Sequence, residues 1–339
     1  MQVKRILFIN FGGLGDEILF LPSIISVKKQ YPNSEITLVL EERSKGITEL
    51  TDIIDSTISA NIKCSNFLKL IKLFILLLKI RKKKFDLVVS SGSNKCISVF
   101  LFLTGIKKRY GYNTGFLSKI LLTKAVTLNK NQYAVNMYHD LVSEITDIKT
   151  ELPEFNITKK APMPNTVLIH PGVSKISIQK GMIKTIPAEE WAKVIELLSD
   201  QGKRVLLAGG PDDADCIKTI TELVPPEKFE NLFGNTKSLK DLAELISKAE
   251  IFLCSDSAPL HIAVGLGVKT FAIFGSTDDK KLTPGVNKTG VNNGNIIPIK
   301  ADCTCPFRPC LWEKRQTTCE ELYCLKIPAE QIVNTILNN

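Results

Sequence analysis

Residues 251–266 read IFLCSDSAPLHIAVGL, the pattern of a buried strand, a turn of small residues and a helix. Consecutive apolar residues are typical of a strand in a parallel sheet that is covered on both faces. Pro259 suits the first helical position, and the small residues before it leave backbone N–H groups free to face an anion. Asp256 stands where it can bond sugar hydroxyls, and His261 where it can donate to phosphate. The segment predicts a phosphate-binding turn, or else a plain cap at Ser257 or Asp256 with His261 in the core.

The order of strand, turn and helix recurs along the whole chain. Strands are predicted at residues 5–10, 35–40, 86–90, 126–128, 167–170, 204–208, 251–254 and 270–274. Helices are predicted at residues 17–30, 65–83, 132–146, 187–200, 214–223, 238–248, 259–266 and 328–337. This alternation predicts an α/β fold with parallel sheets and helices on both faces.

A proline-bearing stretch without periodicity, residues 152–165, is the predicted linker. We therefore expect two doubly wound, Rossmann-like domains at residues 1–155 and 166–339, with ligands at the carboxyl ends of the strands. A chain of 339 residues is also too long for one ordinary core. After Gly275 the pattern gives way to a loop-rich region that carries cysteines.

Composition narrows the class of partner. The chain is 44% apolar and 23% charged, as globular proteins are, and its net charge of +9 favours an anionic partner. Nucleic acid, an acidic membrane surface and a phosphorylated substrate all fit that charge. The apolar runs are too short for a signal peptide or a membrane span. Nine cysteines without an export signal favour free thiols and a cytoplasmic location.

A glycine-rich turn follows the first strand and leads to Asp16. Its glycines, which allow a tight turn and a close approach to a ligand, are Gly12, Gly13 and Gly15. One interpretation is a dinucleotide site with Glu41 or Glu42 on the ribose, but the spacing differs and Asp16 would repel a pyrophosphate. A second is that Asp16 is a general base for a substrate hydroxyl, and a third is that it only caps the helix.

Two further loops follow strands of the second half. Lys184 precedes the helix at 187–200 and offers a positive charge for a diphosphate, although a surface lysine without such a role is the commoner case. The loop that ends at Asp213 combines two glycines with two acids. This loop could bind a ribose, or it could be a strand-to-helix turn with capping aspartates.

A basic segment runs from Lys63 to Lys84, with eight basic residues and no acid. A helix with a basic stripe and an apolar face is able to lie on an anionic membrane. The alternative is a core helix with a solvated lysine edge. Nucleic acid is not expected as a partner, because the segment lacks interleaved aromatic residues and a recognition motif.

Five cysteines fall close to the end of the chain, at Cys303, Cys305, Cys310, Cys319 and Cys324. Four thiolates can hold zinc, but these cysteines contain no C-x-x-C pair, so no metal ligand is assigned.

Together these elements resemble glycosyltransferase family 9, the bacterial lipopolysaccharide heptosyltransferases. The matching pieces, in order, are GGLGD at 12–16 and Pro22, HPG at 170–172, Lys184-x-x-Pro187 with Glu190-Trp191, GGPDD at 209–213, NTKSL at 235–239, SDSAPLHIA at 255–263 and FGST at 274–277. The resemblance spans nearly the whole chain. It implies the GT-B architecture, in which two Rossmann-like domains face each other across a cleft, with the acceptor bound by the first domain and the donor by the second.

The resemblance also implies an inverting sugar transfer that requires no metal or other cofactor. A nucleotide diphosphate sugar, of the ADP-heptose type, is the expected donor. The expected acceptor is an anionic glycan or glycolipid of the cell envelope, such as the lipopolysaccharide core, met in the cytoplasm at the inner face of the membrane. Asp16 matches the catalytic base. The donor contacts are implied at Lys184, Asp213, Lys237, Asp256, Ser257, Ala258, Pro259 and His261.

The chain departs from the family pattern at three positions. It has Ser257-Ala258 where Thr-Gly is common, Ile186 where Trp is usual, and Asp213 in place of a longer Glu. These changes leave heptose itself open, and another hexose or nucleotide also fits. The alternatives are a sugar-nucleotide epimerase of the same shape, an inactive nucleotide-sugar-binding protein and, last, a Rossmann dehydrogenase.

Overall fold

The structure is a computed structural model, and it describes residues 3–62, 66–285, 295–310 and 319–339. The chain divides into two compact units, Met1–Asn156 and Ile157–Asn339. Among the described helices, not one combines the length and the apolar character that a membrane crossing requires.

The first unit is built on a parallel sheet. Its described strands are β1 (Arg5–Ile9), β2 (Glu35–Leu40), β3 (Ser56–Ser59), β4 (Leu87–Ser90), β5 (Lys108–Tyr112) and β6 (Lys124–Val126). They lie side by side in the order β3–β2–β1–β4–β5–β6, and every pair is parallel. The chain direction across the sheet reverses between β1 and β4. The carboxyl ends of these two strands are therefore the switch point at which doubly wound sheets bind ligands.

Helices cover both faces of this sheet. They are α1 (Leu14–Gln30), α2 (Asn66–Lys83), α3 (Ile97–Leu103), α4 (Phe116–Leu121) and α5 (Ala134–His139). On one face, side chains of α2 and α3 share a core with Leu7 and Val88 of the sheet. On the other, Phe8 packs edge-on against Phe20 of α1, whose ring lies 5.2 Å from that of Tyr138 in α5. Alternate residues of β1 thus face opposite layers, as the pleat of a strand requires.

Two strands of this sheet escaped the sequence prediction. The strand β3 reads STIS and β5 reads KRYGY, so neither carries the apolar run by which the others were recognised. Pairing with β2 and β4 fixes them instead. The strand predicted at 126–128 is β6 and lies two residues earlier, and the helix predicted at 132–146 ends at His139, before a short 3-10 turn.

The basic helix predicted at 65–83 is α2, of which Asn66–Lys83 are described; Lys63 and Ser65 lie outside the described residues. Its inward side is formed by Leu76, Leu77 and Ile80. Phe67, Leu70 and Phe74 are exposed. The helix is therefore only partly a core helix, and its apolar character extends into solvent.

The second unit repeats the architecture. Its described strands are β7 (Met163–His170), β8 (Arg204–Leu207), β9 (Glu230–Asn231), β10 (Ala249–Ser255), β11 (Lys269–Ile273) and β12 (Ile296–Ile299). The order is β12–β11–β10–β7–β8–β9, again with all pairs parallel. Here the direction reverses between β7 and β10, so the switch point lies at the ends of those strands. The prediction of a parallel α/β sheet in each half is confirmed.

The helices of the second unit are α6 (Lys175–Gln179), α7 (Ala188–Asp200), α8 (Ala214–Leu223), α9 (Leu239–Ser247), α10 (Ala258–Leu266), α11 (Asp279–Leu282) and α12 (Ala329–Leu337). The indole of Trp191 in α7 is completely buried in the core under the sheet. The region after Gly275 is not only loop, because β12 joins the sheet beside β11. Pro298 inside this short strand concealed it from sequence inspection.

Candidate functional site

The predicted phosphate turn lies at the switch point of the second sheet. Strand β10 ends at Ser255, and α10 begins at Ala258 with Ser257 as its N-cap and Pro259 one position later than predicted. The side chain of the N-cap residue, Ser257, forms no capping hydrogen bond with this helix start. Because a helix N-terminus carries partial positive charge and unpaired N–H groups, this end of α10 is suited to an anion.

Lys184 and Asp256 are brought together at this turn. The Lys184 Nζ lies 3.1 Å from Oδ2 of Asp256 and 3.3 Å from the backbone oxygen of the same residue. The aspartate is almost fully buried, whereas the lysine retains partial exposure. The sequence suggested a cation and an acid on separate loops; the fold makes them one ion pair beside the helix start.

The loop after β7 is fastened to the same place by hydroxyl groups. The backbone oxygen of Pro171 accepts hydrogen bonds from Ser255 Oγ at 2.8 Å and from Thr185 Oγ1 at 2.6 Å. Trp191 in turn donates its indole N–H to Thr185 Oγ1 at 2.9 Å. This chain of bonds connects β7, β10 and the Lys184 loop, and so fixes the position from which Lys184 reaches Asp256.

His170 and Asp213 form a second buried pair next to this loop. The His170 Nε2 lies 3.6 Å from Oδ2 of Asp213, which also accepts the backbone N–H of Gly210 at 2.7 Å. Burial lowers the pKa of His170 and raises that of Asp213, so both groups shift toward their neutral forms. A Cβ atom at Gly172 would lie 1.6 Å from Asp213 Oδ1. The glycine of the HPG motif is therefore required by the carboxylate opposite it.

The remaining predicted donor residues lie in the same unit. His261 is buried in the first turn of α10. Lys237 is exposed in the loop after β9, where its N–H and that of Ser238 bind Asp241 and lower the pKa of that carboxyl. The ribose contact predicted at Asp213 stays a prediction, and its carboxylate is occupied by Gly210 and His170.

In the first unit, Asp16 lies in the first turn of α1, close to the end of β1. Its Oδ2 accepts the N–H of Gly13, the N-cap, at 2.8 Å, and its Oδ1 lies 3.4 Å from the hydroxyl of Tyr138. A Cβ atom at Gly12 would lie 2.4 Å from Cβ of Asp16. Asp16 thus caps the helix, as one interpretation held, but a carboxylate that is only partly buried also remains able to meet a substrate hydroxyl.

One of the two acids that the dinucleotide interpretation named for a ribose is engaged elsewhere. Glu41 is buried and pairs through Oε2 with Arg43 Nε at 2.8 Å. The Arg43 guanidinium approaches the glycine loop, since its nitrogens would lie 3.8 Å from a Cβ atom on Gly13. Glu41 is thus engaged by an arginine, whereas Glu42, the other acid named for a ribose, is exposed near Lys45.

Glu17, the neighbour of Asp16, is fully buried in α1, and burial raises its pKa well above the usual range, with the Asp16 charge adding to the rise. Asn10 opposes this shift weakly. The folded chain therefore holds the Glu17 proton to a higher pH than the unfolded chain does. Stability is full below the ordinary glutamate pKa of about 4.3 and falls as the pH rises from there toward the folded-state pKa.

Replacing Glu17 by glutamine is expected to stabilise the protein at neutral pH, on the order of 1 kcal/mol. At that pH the unfolded parent gains free energy by ionising Glu17 more readily than the folded parent does, and glutamine removes this difference. At pH 4 the variant and the parent should unfold alike. Urea unfolding at both pH values measures this, with Glu151→Gln, an exposed position, as control. A gain that is equal at the two pH values would show that ionisation is not its cause.

The five cysteines near the end of the chain line one cavity of the second unit. All are free thiols. Burial raises the pKa of Cys310 and brings that of Cys324 to about 11, which favours their protonated forms. The sequence assigned no metal ligand among them, and that assignment stays a prediction.

The sequence motifs gave no separate role to His170, Thr185 and Ser255, although the fold places these three residues around the turn. The signal that was present is position, because His170 and Ser255 end the two strands that border the switch point. Ser276 and Thr277, after β11, were also unassigned; their hydroxyls find no hydrogen-bond partner within the described residues.

The chain is similar to known glycosyltransferases over most of its length. The family model for glycosyltransferase family 9 (heptosyltransferase) matches residues 74–309. Lipopolysaccharide heptosyltransferase 3 of Escherichia coli is 25% identical, over 95% of each chain. Lipooligosaccharide heptosyltransferase 2 of Campylobacter jejuni is 22% identical, over 93% of this chain and 97% of that protein.

Solved structures match the fold over its full length. The glycosyl transferase family 9 protein of Veillonella parvula aligns with a TM-score of 0.74 at 21% identity, covering 100% of this chain and 98% of that one. The E. coli heptosyltransferase WaaC with ADP-2-deoxy-2-fluoro heptose aligns with a TM-score of 0.71 at 17% identity, over 99% of each chain. The GT-B type of fold is thereby confirmed, and the chain is a glycosyltransferase that belongs to family 9, the heptosyltransferase family.

Proposed function

We propose that this glycosyltransferase moves a heptose or a related sugar from a nucleotide diphosphate to the lipopolysaccharide core. The observation that carries the donor assignment is the Lys184–Asp256 pair beside the free start of α10. A cation and a helix N-terminus suit a diphosphate, and a buried carboxylate beside them suits the sugar hydroxyls. Two relatives are named as acting on lipopolysaccharide or lipooligosaccharide, which supports the acceptor. Membership of family 9 favours transfer over the epimerase alternative.

In the proposed reaction, Asp16 accepts the proton of an acceptor hydroxyl while that oxygen bonds to the anomeric carbon of the donor. The bond from this carbon to the diphosphate oxygen breaks, and the nucleoside diphosphate leaves with the electron pair. Lys184 and the N–H groups at Ser257 and Ala258 stabilise the charge that develops there. These groups supply the positive charge that stabilises the leaving diphosphate, so no step is assigned to a metal or other cofactor.

The other residues of the second unit have supporting roles in this proposal. Pro259 and His261 shape the phosphate turn, and Lys237 lies next to the base of the nucleotide. Asp213 holds the HPG loop in position and also contacts the ribose. We place the reaction in the cytoplasm. The nine cysteines of the sequence support a reducing compartment.

A thermal-shift panel tests the donor site. ADP at 100 times its Kd is expected to stabilise the protein by about 2.7 kcal/mol, because ligand that binds only the native state raises the melting temperature. UDP and GDP should give smaller shifts if the donor is of the ADP-heptose type. Lys184→Gln should remove most of the ADP shift, whereas Lys218→Gln, on an exposed lysine of α8, should retain it. Equal shifts in both variants would remove Lys184 from the donor site.

A further inference from the structure

Three helices on one face of the first sheet leave large apolar side chains in solvent. Helices α2 and α3 and the residue after α4 share a single core through Leu76, Ile80, Ile97, Leu101 and Leu122. The three helices therefore lie in one layer. We call their outward side the α2–α4 surface. Its most exposed members, between 50% and 76% exposed, include Phe67, Leu70, Phe74, Phe102, Phe116 and Ile120.

Exposure of so many large apolar side chains is unusual for a protein surface that faces only water. Single apolar residues are scattered over every protein surface, but contiguous patches mark contact with a partner or a membrane. On α2 the exposed residues fall on every side except the one that Leu76, Leu77 and Ile80 turn to the core. The α2–α4 surface thus presents aromatic and aliphatic groups without a covering element among the described residues.

The positive charge of the protein is concentrated in the same segment. Residues 66–123 contain twelve lysines and arginines and one acid, Asp86, a balance of +11 in a chain whose total is +9. Asp86 is engaged by the backbone N–H groups of Lys4 and Arg5. Within the residues that the structure describes, none of these twelve cations forms an ion pair with an acid. Arg109 donates to backbone oxygens and Lys83 donates to Ser56 Oγ. The charge of the other lysines and arginines is available to an external anion.

We propose that the α2–α4 surface docks on an anionic phospholipid bilayer, with its phenylalanines at the acyl boundary and its lysines at the phosphates. Exposed aromatic and aliphatic groups flanked by cations are what interfacial binding requires. A second copy of the chain fits poorly, because it would bring the same strongly basic segment against this one. Nucleic acid would satisfy the lysines but leave the phenylalanines in water.

Sedimentation with vesicles tests the apolar part of this surface. The full chain should pellet with vesicles of phosphatidylglycerol and phosphatidylethanolamine, and at least tenfold less with phosphatidylcholine alone. The double variant Phe74→Ser, Phe116→Ser should bind the anionic vesicles at least tenfold more weakly. Its matched control is Leu223→Ser, Leu337→Ser, which removes two exposed apolar residues from the second unit and should bind like the parent.

A charge variant gives an independent measurement. Lys72→Gln with Lys79→Gln, both exposed on α2, should weaken vesicle binding roughly tenfold, and 0.5 M salt should do the same for the parent. Transfer to a water-soluble acceptor should be unchanged in all these variants, which separates docking from catalysis. Equal pelleting of parent and surface variants would overturn the proposal. So would a dimer in sedimentation velocity that the Phe74→Ser, Phe116→Ser variant abolishes, since a second copy would then cover this face.

Discussion

Replacing Asp16 by asparagine is expected to lower the rate of sugar transfer by roughly a thousandfold while donor affinity stays within about twofold. A positioned general base typically contributes between about a hundredfold and ten thousandfold, and an amide cannot accept the proton. The asparagine side-chain oxygen still accepts the Gly13 N–H that Asp16 accepts at 2.8 Å, so the helix cap is preserved. Measuring kcat together with donor Kd therefore separates the chemical role from the structural one.

Two controls belong with this variant. Its melting temperature should match that of the parent, because the cap and the packing against Tyr138 are retained. Asp52→Asn, at an exposed acid of the same unit, should transfer sugar at the parental rate. If Asp16→Asn retains a third or more of the parental kcat, the proton goes elsewhere and Asp16 is only a cap.

Replacing Gly172 by alanine is expected to destabilise the second unit by about 3 kcal/mol. The new Cβ would lie 1.6 Å from Asp213 Oδ1, so the carboxylate must move away from the Gly210 N–H and from His170. Overpacking and the loss of a buried charged hydrogen bond each cost between about 1 and 3 kcal/mol. For a unit of this size the melting temperature should fall by roughly 6–12 °C.

Gly210 offers the matched control. It has extended backbone angles, and a Cβ atom there would meet only Asp213 Oδ2, at 3.8 Å, which is ordinary contact. Gly210→Ala should therefore cost at most about 1 kcal/mol. Similar losses of stability in the two variants would mean that both glycines are needed for their backbone conformation. The close approach of Asp213 to Gly172 would then not explain the effect.

Much of the fold could be predicted from the sequence, because the central strands are apolar on both faces. The strand at Glu35–Leu40 and the helix at Ala214–Leu223 occur as predicted. The outer strands β3, β5 and β9 were missed, since polar residues such as those of Glu230–Asn231 carry no such pattern and are held by neighbours distant in sequence. Short helices such as α3 have too few turns to show a period.

The sequence predicted each loop of the candidate site separately, because a strand followed by glycine, small residues and an acid is typical of a ligand-binding loop. What the sequence alone withheld is which groups meet. The bond between Lys184 and Asp256 joins residues 72 positions apart, and the approach of His170 to Asp213 depends on the register of two strands. Glu17 carries no local sign of its burial, which follows from the packing of α1 on the sheet.

The ion pair at the second switch point has a consequence for selectivity. In the proposed donor site, Asp256 occupies the place beside Lys184 that a phosphate oxygen of the donor would take, 3.1 Å from its Nζ. A small anion such as inorganic phosphate would have to displace that carboxylate and leave it buried without a partner. A sugar diphosphate offers each member of the pair a replacement, phosphate oxygens for the lysine and hydroxyls for the aspartate. In the proposed donor site, the ion pair would therefore favour ligands that carry both a phosphate and a sugar over inorganic phosphate.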